Sequence, residues 1–173
     1  GWAMANAVAE FSLAMMLCGL RDIPYMIDSL RENGWGKARN AFDLTEKAVG
    51  LVGFGMIGRR VAELLGPFNP DLRVFDPFVS SDEVESYGGK LVELGDLLQH
   101  SFVVSLHAGM TDHSQSLLGK SELALLPDNA LLVNTARAGL VDESALLDEL
   151  QSGRIRAALN VYWKEPLAKD HPL

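Results

Sequence analysis

The chain has 173 residues, enough for one domain whose core buries roughly 70% of the surface the unfolded form exposes, so it needs no disulfide or metal staple. It is 48% hydrophobic and 22% charged, with Asp+Glu 23 against Lys+Arg 15 and a formal net charge of −8. That balance argues against a nucleic-acid partner, which requires a positive face for phosphates. A single cysteine, Cys18, excludes an internal disulfide and a thiolate zinc cluster and fits a reducing compartment.

The first apolar stretch, Trp2 to Leu20, reads as a helix. Asn6, Glu10 and Ser12 interrupt it and it has no basic leader, so neither a membrane span nor a signal peptide is expected. Its apolar positions, among them Val8, Phe11, Met15, Met16 and Leu20, cover more than one face. That marks either an internal core helix or a helix at a subunit interface. A second helix is expected from Asp22 to Glu32, with Pro24 in its first turn and Asn33-Gly34 at its end. Trp35 to Lys47 has no period and reads as a loop, which divides a helical arm (1–46) from the remainder (47–173).

From Ala48 short apolar runs alternate with helical patterns. Strands are expected at Ala48–Val52, Leu72–Phe75, Lys90–Val92, Phe102–Leu106, Ala130–Val133 and Ala157–Val161. Helices are expected at Ile57–Leu65, Asp82–Tyr87 with Ser81 as its cap, Leu94–Gln99, Lys120–Leu126, and Ser144–Leu150 between Asp142 and Gly153. The alternation predicts an α/β fold with an open, mostly parallel, doubly wound sheet.

Gly53-Phe54-Gly55-Met56-Ile57-Gly58 is a G-x-G-x-x-G that directly follows a strand and opens a helix. Asp76 closes the next strand, 18 residues after Gly58. Each part has a task. Gly53 allows the tight turn, Gly55 lets the backbone approach a pyrophosphate, and Gly58 lets the helix pack closely. The diphosphate sits at the helix N-terminus, where free N–H groups and the dipole favour an anion. Asp76 accepts from the ribose hydroxyls and repels a 2′-phosphate, which favours NAD over NADP. These features make the fold Rossmann-type. Arg59, next after the motif, either reaches the diphosphate or lies on a solvated helix face.

A second constellation follows the later strands, at whose carboxyl ends such sheets bind ligands. Asn134-Thr135-Ala136-Arg137 follows one strand, Asn160 another and His107 a third. Arg137 offers a planar fork for a carboxylate and can polarise a carbonyl. Glu165 lies just beyond Asn160. The sequence has no G-x-S-x-G elbow and no phosphate loop ending in Lys-Ser/Thr. The histidines His100, His107, His113 and His171 show no metal-ligand spacing, so no metal is expected.

Together these segments resemble the D-isomer-specific 2-hydroxyacid dehydrogenases over essentially the whole chain. Val8-Ala9-Glu10, Met15-Met16-Leu17 and Arg21 resemble the long helix that opens that family's nucleotide-binding domain and pairs with a second subunit. Val49 to Gly58 and Phe75-Asp76-Pro77 resemble its cofactor fingerprint. Ser105-Leu106-His107-Ala108, with Thr111, resembles its cofactor-lining loop. Asn134 to Arg137 with Val141 to Leu146 resembles its catalytic-arginine signature, and Leu159-Asn160-Val161 with Glu165-Pro166-Leu167 the segment of its catalytic glutamate.

The resemblance implies an NAD-dependent oxidoreductase, a cytoplasmic homodimer acting on a small D-2-hydroxy or 2-keto acid. It assigns the substrate carboxylate and reacting carbonyl to Arg137. It assigns Glu165 to a catalytic histidine, whose charged form a carboxylate favours. Met56 and Ile57 would contact the diphosphate through their backbone and Asp76 the ribose. His107, Ala108, Thr135, Ala136 and Arg137 would line the cofactor, and Asn160 would meet the nicotinamide carboxamide.

The chain departs from the family pattern at Asn160 (usually Asp), Ala138 (usually Gly), Gly109 (usually Pro) and Phe102 (usually acidic). Ala138 is harmless only if its φ is negative. The family's Pro-His motif downstream of the glutamate has no counterpart here, and His171-Pro172 is the reverse order. The start at Gly1 and the stop after Leu173 lead to the expectation of a piece of something roughly twice as long, without its substrate domain and inactive alone. The alternative is an NAD-sensing, non-enzymatic corepressor-like protein of the same fold. A formate dehydrogenase is a third reading.

Overall fold

The computed structural model describes residues 2–173. The helices and strands are α1 (Trp2–Leu20), α2 (Ile23–Asn33), β1 (Ala48–Val52), α3 (Met56–Leu65), β2 (Asp71–Phe75), α4 (Ser81–Glu85), β3 (Gly89–Leu91), α5 (Leu94–His100), β4 (Val103–Leu106), α6 (Lys120–Leu123), β5 (Leu131–Asn134), α7 (Glu143–Ser152) and β6 (Arg156–Leu159). All six strands are parallel, in the order β3-β2-β1-β4-β5-β6. This is the Rossmann order, and its switch point lies between β1 and β4.

The central strands β1, β4 and β5 are buried almost end to end and, Ser105 and Asn134 apart, carry no polar side chain, because both of their faces are covered. Along β4 and β5 alternate residues drop to opposite sides, as the two-residue period of a strand requires. Val103, Leu131 and Val133 join one core layer with Val61 and Leu65 of α3. Val104, Leu106 and Leu132 join the other with Leu97 of α5 and Leu146 of α7. The edge strand β6 is half-buried along its whole length.

The helix α1 belongs to the first layer. Ala5, Ala9, Ser12, Met16 and Leu20, spaced three and four apart, are buried against α3, β5 and β6. The opposite face stays open: Met4 is 74% and Phe11 42% exposed, and Cys18 lies along it. The all-round apolarity of this helix therefore does not correspond to burial on several sides within the chain. Ala3–Leu20 has a mean hydropathy of 1.5, long and apolar enough to cross a membrane, yet its inner stripe is part of the domain core.

Local signals account for most boundaries. Gly34 and Gly153 end α2 and α7 at φ 71° and 74°. Asp142 caps α7 by accepting from the Ala145 N–H at 2.8 Å. The cap of α4 is Ser80 instead of Ser81, its Oγ accepting from the Glu83 N–H at 3.3 Å. The helix α6 stops at Leu123, short of the expected Leu126. Leu125 and Leu126 continue it only with tighter bonds to the carbonyls of Glu122 and Leu123, just before Pro127.

Candidate cofactor site

The strand register sets the site. Val52 is level with Phe75 on one side and Leu106 on the other. Leu106 is level with Asn134, and Asn134 with Leu159. The residues one step past that row are Gly53, Asp76, His107, Thr135 and Asn160. Five positions drawn from five separate strands thus form one line along the carboxyl crest of the sheet. Backbone bonds hold the line: Gly53 N–H donates to Phe75 O at 2.9 Å, His107 N–H to Val52 O at 2.7 Å, and Asn160 N–H to Asn134 O at 3.0 Å.

The glycine turn fits a dinucleotide. Gly53 has φ +95°, and a Cβ there would stand 2.5 Å from the Ala108 nitrogen. A Cβ at Gly58 would stand 2.4 Å from Gly53 O, so the helix start packs directly on the turn. Gly55 differs. A Cβ there would meet nothing within 4 Å, so the protein's own packing does not demand glycine. What Gly55 leaves bare is the exposed N-terminus of α3, whose N–H groups have no partners within the helix. A diphosphate fits that face, with the exposed Met56 and half-buried Ile57 on its first turn.

Asp76 does two things at once. Its Oδ2 accepts from the Phe54 N–H at 2.7 Å and its Oδ1 from the Phe78 N–H at 2.8 Å. The carboxylate is thereby fixed to the glycine turn and still has lone pairs for a ribose diol. Beside it lies an open cleft of about 620 Å³ that Pro77, Val79 and Val92 line. Arg59 takes neither of its expected places fully. Its Nε donates to Phe54 O at 3.0 Å and its guanidinium pairs with Glu83 at 2.6 Å. Phe54 is thus gripped at its N–H by Asp76 and at its carbonyl by Arg59.

His107 lies where β4 ends, its Nε2 buried without a hydrogen-bond partner among the described residues. Burial pushes its imidazole down to about 4, so it is neutral near pH 7. Ala108 follows it, half-buried against Gly53.

Beyond β5 the chain makes a bracketed turn. Asn134, buried, accepts from the Ala136 N–H at 3.0 Å through Oδ1 and donates to Arg137 O at 2.9 Å through Nδ2. Sequence reading gave this asparagine no role, although an Asn that bonds its own backbone two residues on is a known turn device. Ala138 opens a short 3-10 turn and is absent from the positive-φ residues, so its replacement of glycine is accommodated. Phe102, in place of an acid, packs edge-on against Phe42 at 4.9 Å. Gly109 has nothing within 4 Å of a Cβ.

Arg137 is exposed, and its Nη1 donates to Ala136 O at 2.7 Å. Glu165 shares a cleft of about 410 Å³ with it, walled by Tyr162 and Trp163. Glu165 Oε1 accepts from the Tyr162 N–H at 3.0 Å, and Trp163 Nε1 ties the loop to Val141 O at 3.0 Å. Asn160 is exposed at the near end of the same loop. His171 does not join them; its Nε2 lies 3.0 Å from Glu143 Oε1. No group of three His, Cys, Asp or Glu that could hold a metal occurs among the described residues.

Residues 13–173 match the family model of the D-isomer specific 2-hydroxyacid dehydrogenase NAD binding domain. The chain belongs to this family. It is 36% identical over 174 residues to the D-3-phosphoglycerate dehydrogenase of Methanocaldococcus jannaschii, covering 99% of this chain and 33% of that protein. A glyoxylate reductase structure from Paecilomyes thermophila superposes with a TM-score of 0.89 at 32% identity, over 99% of this chain and 54% of the other. The NAD-dependent formate dehydrogenase of Staphylococcus aureus, solved with NAD, superposes with a TM-score of 0.87 at 31% identity, over 97% of this chain and 51% of the other.

The chain therefore spans a third to about half of the length of these relatives. As a member of this family it is an NAD-binding Rossmann domain. The corepressor-like alternative gains no support from the relatives.

Proposed function

We propose that the chain is the cofactor-binding part of an NAD-dependent oxidoreductase that moves hydride between NAD(H) and a small D-2-hydroxy or 2-keto acid. The observation that carries this reading is the crest line from Gly53 to Asn160, with Arg137 and Glu165 in one cleft at its β5–β6 end. Bound NAD supplies the hydride acceptor or donor.

The protein supplies position and charge. The start of α3, with Met56 and Ile57, holds the diphosphate, and Asp76 the adenosine ribose. His107, Ala108, Thr135 and Ala136 line the cofactor, and Asn160 accepts from the carboxamide without a charge. Arg137 would grip the substrate carboxylate and polarise the carbonyl that accepts hydride on reduction, or that forms as the hydroxyl carbon gives hydride up on oxidation. Glu165 orients and charges a histidine from a region of the protein outside these residues. The only histidine near it in sequence, His171, is engaged with Glu143. The histidine then moves the hydroxyl proton.

The open face of α1, with Met4, Phe11 and Cys18, supports a homodimer through that helix. In this reading residues 1–46 are the interface portion and residues 47–173 the cofactor portion of one packed unit. The lone free cysteine fits a cytoplasmic setting. Calorimetric titration of the chain tests the cofactor assignment. NADH is expected to bind weakly and more tightly than NADPH, and the chain alone is expected to oxidise no NADH with 2-keto acids. Tighter NADPH binding would remove Asp76 from its role; steady turnover would remove the need for an outside histidine.

A further inference from the structure

Ser12 lies on the inner face of α1, fully buried. Its hydroxyl carries one proton, and the Val8 carbonyl takes it at 2.8 Å, the back-bond that serine makes inside helices. Ser12 Oγ and Thr135 Oγ1 lie 2.7 Å apart, joining residues 123 positions apart in sequence. With the serine proton used, Thr135 must be the donor of that bond. The threonine hydroxyl is left with lone pairs and no proton to offer to anything else.

Thr135 is half-buried and stands on the crest line beyond β5. The sheet order puts Asp76, beyond β2, on one side of the glycine turn and Thr135 on the other. With the adenosine ribose at Asp76 and the diphosphate at the start of α3, the nicotinamide riboside lies toward β4, β5 and β6. That half of the cofactor presents donors, the carboxamide NH₂ and the ribose hydroxyls.

We propose that Ser12 is a positioning residue for the cofactor: its Oγ accepts the hydrogen bond that the Thr135 hydroxyl donates and so fixes that hydroxyl as an acceptor for the nicotinamide riboside. The inference rests on the reading of the crest as the NAD site. Without Ser12, Thr135 turns freely and presents its own proton as often as a lone pair.

The test is calorimetry on the chain with two probes, NADH and ADP, which lacks the nicotinamide riboside. Ser12→Ala is expected to weaken NADH about five-fold, what one neutral hydrogen bond is worth, and to leave ADP unchanged. Ser12→Thr keeps an oxygen in place and restores NADH binding. The near-isosteric Thr135→Val carries the test should Ser12→Ala not fold; it is expected to lose the same factor for NADH alone. The double variant loses no more than either single one. Equal losses for NADH and ADP, no loss in either single variant, or additive losses would overturn the inference and leave the NAD site standing. A wild-type chain that binds neither probe would overturn the site and the inference together.

Discussion

At the amino end of the sheet the cations are committed to the protein itself. Arg156, first residue of β6, donates to Asn129 O through Nε and Nη2, and to Gly19 O and Asn40 O through Nη1. Its guanidinium lies 4.9 Å from the centre of the Phe42 ring. Arg39 grips Asp22 with Nε and Nη2 at 3.3 and 3.2 Å and covers Tyr25. Burial alone would raise the Asp22 carboxyl, but the bonds from Arg39 outweigh it and hold it below the usual range. A cavity of about 440 Å³ opens among these groups, and the charged side chains that line it, Asp22, Arg39 and Arg156, are all partnered.

The carboxyl end is the opposite. Arg137 has a single hydrogen bond among the described residues, to its neighbour's carbonyl. His107 Nε2 has none, and Asn160 and Glu165 are exposed. The backbone that carries these groups is firmly held, by Asn134, Trp163 and the Phe54 grip, while Arg137 and Glu165 each make a single hydrogen bond, to nearby backbone. Satisfied polar groups tie the fold together; unsatisfied ones on a fixed backbone are available to a ligand.

The largest expected effect is at Arg137. On the proposed reading, Arg137→Ala in an enzyme that joins this chain to a substrate domain is expected to lower kcat/KM roughly a hundred-fold or more. Thermal stability should hardly change, as for an exposed side chain. A collapse of Tm with little loss of activity would move Arg137 into the structural group. Arg156→Met reverses the pattern. It keeps the stem but strands three carbonyls, which is expected to cost about 2 kcal/mol and roughly 4–8 °C in Tm. NADH affinity of the folded molecules should not change, and a fall in it would break the contrast between the two ends.

Asp76→Asn removes the charge and leaves one acceptor oxygen for the Phe54 and Phe78 N–H groups that now use two. NADH is expected to bind about ten-fold more weakly, with a smaller change for NADPH, since the fixed repulsion of a 2′-phosphate is gone. An unchanged NADH to NADPH ratio would assign the preference elsewhere. The smallest effect concerns His107. The unfolded chain protonates it near pH 6.5 and the folded one only near 4, so the unfolded state holds more protons between those values. Stability therefore falls as pH drops from about 6.5 to about 4. His107→Asn removes that component, and its Tm should fall less steeply across the same window.

Much of this was legible in the sequence because it rests on local chemistry. The glycine turn, the acid closing the next strand and the caps at Asp142, Gly34 and Gly153 each need only a few neighbouring residues. The Asn134 bracket is local too, and its sequence could have shown it. Other features depend on tertiary placement. That Gly53, Asp76, His107, Thr135 and Asn160 share one line follows from strand register, which no single segment contains. The Ser12–Thr135 bond spans 123 positions. The Arg59–Glu83 pair joins positions 24 residues apart, which a local reading does not bring together. The apolar character of α1 could not distinguish a face packed on its own domain from one left open.

Amide shift mapping of the isotope-labelled chain during titration with NADH compares the two ends in one experiment. The expected shifts fall on Gly53 to Gly58, Asp76, His107, Thr135 to Arg137 and Asn160, and leave Asp22, Arg39 and Arg156 unmoved. Shifts concentrated around Asp22, Arg39 and Arg156, with the crest silent, would contradict the assignment of the site.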